Sequence, residues 1–128
     1  KIELPKLFNA LGHVTAGLVA KSTNQDDMLF LKYEFAENWA SPSRISRYPV
    51  IILSAKNNNQ LKTLHQAANE SGILHNVFTD SMLGASSDEQ IENTKNAHMN
   101  DLNYFAIALF GATEQLTILT RKFSLFKG

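Results

Sequence analysis

The sequence has no cysteine. That excludes disulfides, thiol catalysis and thiolate metal sites, and it agrees with the cytoplasmic location expected here. Net charge is absent too, with 12 basic residues against 12 acidic ones. A neutral chain lacks the long-range pull of a nucleic-acid binder, although a local basic patch stays open to it. No apolar run approaches the roughly 20 residues that span a bilayer, so no membrane insertion is expected. There is no Gly-x-Ser-x-Gly elbow, phosphate loop or dinucleotide fingerprint. The four histidines, His13, His65, His75 and His98, include no close ligand pair of the His-Glu-x-x-His kind. No cofactor and no metal are expected. Repeats, low-complexity tracts and linkers are missing, so residues 1–128 read as one domain. No secretory signal pattern is visible and the first residue is not Met, so a leader before Lys1 is expected. The triplet Asn69-Glu70-Ser71 matches the glycosylation pattern, which arises often by chance.

What is present is centred on Pro49 to Asp80. The run Pro49-Val50-Ile51-Ile52-Leu53-Ser54-Ala55 is apolar and β-branched, and predicts a strand buried on both faces. After Lys56-Asn57-Asn58-Asn59, residues Leu61, Leu64, His65 and Ala68 form one helix face over 60–71. Asn57 or Asn58 caps its start, and Gly72 takes the left-handed position that ends it. Ile73 to Asp80 predicts a second buried strand. Strand, helix, strand makes the class α/β.

Elsewhere, Lys1 to Leu4 reads as the tail of a strand ended by Pro5. Leu7, Leu11, Val14 and Leu18 predict a helix over 7–21. Gly12 and Gly17 inside it cost about 1 kcal/mol each against alanine. Close packing on the sheet explains them, with approach to a ligand as the alternative. Ser22 to Asp27 reads as a loop, Met28 to Phe35 as a strand, and 36–48, with Trp39, Arg44 and Arg47, as an irregular connection. Ser86 with Glu89 has capping-box spacing for a polar surface helix ending near His98, which would serve as a lid. Asn103 to Phe110 predicts a buried strand, and Thr113 caps a last helix with Leu116, Ile118 and Leu119.

The order Leu4-Pro5, Asn9-Ala10-Leu11-Gly12-His13, Phe78-Thr79-Asp80, Ile107-Ala108-Leu109-Phe110-Gly111 and Leu119-Thr120-Arg121-Lys122-Phe123-Ser124-Leu125-Phe126 resembles a bacterial family of unknown function. That family is related in fold to the type II peptidyl-tRNA hydrolases. The resemblance implies a three-layer α/β/α sandwich around a four-stranded mixed sheet, with the last strand antiparallel. It also implies a first strand before Leu4.

The hydrolases carry a His in the first helix, an Asp after the third strand, a Thr near the C-terminus and a Lys seven residues before the His. His13, Asp80, Thr120 and Lys6 stand at these positions. The resemblance thus implies a general base and an orienting carboxylate. Other hydrolase positions differ. Ala10 replaces a Gln, and Asp80-Ser81-Met82-Leu83-Gly84 lacks the Arg and Thr that follow the Asp. The groups that position an ester and hold a tRNA backbone are depleted. A module that binds a small molecule or a protein is therefore expected ahead of a peptidyl-tRNA hydrolase or related esterase. The tRNA partner is not favoured. A third expectation is an interaction module that pairs through an exposed edge strand, including with a copy of itself.

Overall fold

The structure is a computed structural model that describes residues 1–128, the side chain of Gln25 excepted. Helix α1 runs Leu4–Lys21 and β1 Phe30–Tyr33; β2 is Ser43–Ser46 and β3 Leu53–Ser54. Then come α2 Asn58–Ser71, β4 Leu74–Thr79, α3 Ser87–Asn96, β5 Tyr104–Phe110, α4 Thr113–Thr120 and β6 Ser124–Leu125.

The centre is the antiparallel pair β4–β5, registered from Leu74 opposite Phe110 to Thr79 opposite Tyr104. Successive strand side chains point to opposite faces. Asn76 donates to the Val14 carbonyl of α1 at 3.2 Å. The ring of His75, its neighbour in the strand, meets His65 of α2. Helices α1 and α2 therefore cover opposite faces of the pair. This explains why β5 is apolar throughout rather than alternating. On the α1 side the core is Ala10, Val14 and Phe78, with Met82, Phe105, Ala106 and Ala108 against it. On α2 the buried residues are Leu64 and Ala68.

Local chemistry fixes the helix ends. Asn57 Oδ1 accepts the Gln60 N–H at 2.9 Å, so Asn57 is the cap of α2. Gly72 is left-handed (φ 67°) and closes α2. Ser86 caps α3 through the Glu89 N–H at 3.2 Å. The close approach predicted for the glycines of α1 holds at Gly17, where a Cβ would overlap the Asn76 amide. At Gly12 the space is open.

Several expectations are corrected. Residues 1–4 hold no strand: α1 already starts at Leu4, with Pro5 in its first turn. There a missing N–H costs nothing and the fixed φ suits a helix. The run 49–55 is paired only at Leu53–Ser54, antiparallel to Ser124–Leu125. Val50, Ile51 and Ile52 are 68%, 67% and 43% exposed, not buried on both faces. A β-branched run becomes a buried strand only where neighbours pair and cover it. The connection 36–48 contains β2, which pairs with β1 from Phe30 opposite Ser46 to Tyr33 opposite Ser43. Ser43-Arg44-Ile45-Ser46 has one apolar residue, too few to register as a strand. The cap of α4 is Ala112, with Thr113 already helical. The strands pair as β1–β2, β3–β6 and β4–β5, each antiparallel.

Candidate functional site

His13, Asp80, Thr120 and Lys6 lie on two helices and a turn. His13 is exposed on α1, and its ring stacks on Phe78 with centroids 5.6 Å apart and planes 21° apart. Asp80 opens the turn after β4. Its Oδ1 accepts the Asn103 backbone N–H at 3.1 Å, and its Oδ2 the Asn103 side-chain amide at 2.9 Å. The Asp80 N–H returns a bond to the Asn103 carbonyl at 2.9 Å. Thr120 closes α4, and its hydroxyl donates to the Leu116 carbonyl at 2.7 Å. Lys6 is exposed on α1.

Stacking on Phe78 brings His13 to the end of β4 that leads into Asp80. Among the described residues no hydrogen bond joins His13, Asp80 and Thr120. Beside Asp80, the Ser81 hydroxyl bridges Thr79 at 2.7 Å and Thr94 of α3 at 2.9 Å. Helix α3 is thereby seated on the turn, where the sequence places a lid.

A second cluster escaped the sequence reading. On the α2 face, His65 Nδ1 lies 2.7 Å from the Tyr104 hydroxyl. The rings of His65 and His75 meet edge-on at 5.3 Å. His75 Nδ1 donates to the Ile73 carbonyl at 2.7 Å, and Lys21 Nζ donates to the His75 carbonyl at 2.6 Å. Burial lowers the His65 pKa, and the charges of His75 and Lys21 lower it further. Burial raises that of Tyr104, which is 4% exposed. The two shifts agree: a protonated phenol donates to a neutral imidazole. The available signal was a histidine within the apolar stripe of a helix, which needs a polar partner once buried.

Asn58 fastens this face. Its Oδ1 accepts the Tyr104 N–H at 2.7 Å, and its Nδ2 donates to the Leu102 carbonyl at 2.9 Å. No group of three His, Cys, Asp or Glu side chains suited to a metal occurs among the described residues. No helix among them is long and apolar enough to cross a membrane.

The sequence profile of a family described as "Protein of unknown function (DUF2000)" matches residues 1–127. The chain belongs to the DUF2000 family. A search of the curated proteins gives no match for this DUF2000 chain. Among solved structures it is similar to a protein of unknown function from Agrobacterium tumefaciens. The TM-score is 0.83 at 13% identity, covering 99% of this chain and 91% of the other. Likeness at that identity is a likeness of fold, so the activity of a DUF2000 chain has to be argued from its own side chains.

Proposed function

We propose that this DUF2000 chain is a binding module for a small molecule or a protein, with a peptidyl-tRNA hydrolase II-like fold but without hydrolase chemistry. The observation that carries the reading is the Asp80 carboxylate. Both of its oxygens are engaged by Asn103, so it ties β4 to β5 rather than orienting an imidazole. A general base needs a partner within hydrogen-bond reach, and His13 rests on Phe78 instead. The test is multiple-turnover hydrolysis of peptidyl-tRNA by the folded protein. No turnover is expected. Turnover abolished by His13→Ala would overturn the reading and restore the esterase alternative, with His13 and Asp80 as its catalytic pair and Thr120 and Lys6 beside them.

The finer architecture, one four-stranded mixed sheet, belongs to the same proposal. In its support, α1 and α2 already sandwich β4–β5. The apolar run at Val50–Ile52 also lies exposed beside β3, as a strand run does when one neighbour is missing.

One observation favours a second reading, an interaction module. The register of β1–β2 places Leu31, Tyr33 and Ile45 on one face and Lys32 and Arg44 on the other. That apolar face is open, with exposures of 37%, 48% and 48%. A two-stranded ribbon is marginal alone, so a partner, including a second copy, would stabilise it.

A further inference from the structure

The basic residues of this neutral chain are not evenly spread. Lys56, in the loop between β3 and α2, and Arg121 and Lys122, after α4, line one open cavity of about 430 Å³. Its remaining lining includes Thr63 and the apolar side chains of Leu119 and Phe123, and no carboxylate. None of the three cations forms an ion pair among the described residues; the ion pair found there is Lys32–Glu34, on the β1–β2 side of the molecule.

The two loops are held in register by one side chain. Gln60 Oε1 accepts the Lys56 N–H at 2.7 Å, and Gln60 Nε2 donates to the Lys122 carbonyl at 3.3 Å. The Gln60 N–H is itself taken by the Asn57 cap. Lys56, Arg121 and Lys122 thus line one cavity, with the backbones of Lys56 and Lys122 tied together through Gln60.

We propose that this cavity binds a small phosphate monoester. Lys56, Arg121 and Lys122 would hold the phosphate, and the wall of Leu119 and Phe123 would take its organic body. The proposal rests on the binding-module reading and names its ligand class. A monoester carries about −1.5 to −2 charge at pH 7 and three acceptor oxygens, which matches three cations better than a single carboxylate does. The volume lies within the range of small-ligand sites. Zero net charge favours a small ligand over a nucleic acid, which needs a field extending over many phosphates.

The test is an NMR titration of the full chain with phenyl phosphate, with benzoate and an RNA oligonucleotide as comparisons. Saturable shifts of the Lys56, Gln60, Arg121 and Lys122 amides are expected with phenyl phosphate, and weaker ones with benzoate. Arg121→Gln and Lys122→Gln, both exposed and checked for folding by circular dichroism, should each weaken binding about ten-fold, as loss of one charge-assisted hydrogen bond does. Gln60→Ala should also weaken it, although Gln60 carries no charge. Absence of saturable shifts, equal binding of benzoate, unchanged affinity in the charge variants, or preference for the RNA would each overturn the proposal. Hydrolysis of peptidyl-tRNA is read separately. A chain with no turnover that ignores phenyl phosphate remains a binding module with another ligand.

Discussion

His65 carries the least expected chemistry on a single side chain. Its proton is disfavoured by burial and by the nearby charges of His75 and Lys21, so its folded pKa lies below the ordinary value of 6.5. The unfolded chain then binds that proton more readily. The stability His65 contributes is complete above about pH 6.5 and is lost as the pH falls from there towards the lowered value. The melting temperature should drop on acidification through this window. In His65→Gln, which cannot protonate but still meets the Tyr104 hydroxyl, that part of the slope should flatten. An identical slope in the variant would show that other groups set it. The glycines of α1 make a second residue-scale contrast. Gly17→Ala should destabilise by about 1–3 kcal/mol, because the new methyl displaces the Asn76 amide from Val14. Gly12→Ala has open space and should stabilise by up to about 1 kcal/mol. Urea unfolding of the two variants checks both signs.

Between elements, Asn58 does for α2 and β5 what Asp80 does for β4 and β5. It receives the Tyr104 N–H and grips the Leu102 carbonyl. Asn58→Ala leaves both groups without their partner at a half-buried site and should cost about 1–3 kcal/mol. Asn59→Ala, one residue along on an exposed position, should stay within about 0.5 kcal/mol. Chemical denaturation distinguishes them. The elements that pack on something were the legible ones. Leu61, Leu64 and Ala68 gave α2 its face, Gly72 its end, and Leu74, Val77 and Phe78 with the apolar run at 104–110 their strands. The elements that pack on little were not. Val50 to Ile52 has strand composition but lacks the neighbours that make a strand. The segment 43–46 is a strand through pairing with β1 and not through its own side chains. The site was legible only as isolated residue types. That the Asp80 carboxylate meets Asn103, and that His65 meets Tyr104, depends on contacts 23 and 39 residues apart in sequence. No local pattern records such contacts.

As a whole, the molecule exposes 9335 Å². A folded monomer of 14.3 kDa is expected to expose about 6,800 Å². The difference of about 2,500 Å² matches in scale what a large protein–protein interface buries. It is contributed in part by the apolar face of the β1–β2 ribbon and by Val50–Ile52. On the interaction reading, light scattering should show the average mass rising with concentration, and Ile45→Lys should hold the chain monomeric. A mass fixed at that of one chain across the range would count against it.

On the proposed reading this DUF2000 chain carries no hydrolase chemistry, because Asp80 holds Asn103 and so serves the fold. Single-turnover hydrolysis of peptidyl-tRNA, with protein in large excess, tests it most directly, because even slow chemistry is then visible. The wild type and Asp80→Ala are run side by side, with melting temperatures recorded. On that reading, background hydrolysis is expected in both, with a lower melting temperature in Asp80→Ala, which has lost the carboxylate that holds Asn103. Hydrolysis by the wild type above background, lost in an Asp80→Ala protein that melts at the same temperature, would contradict it.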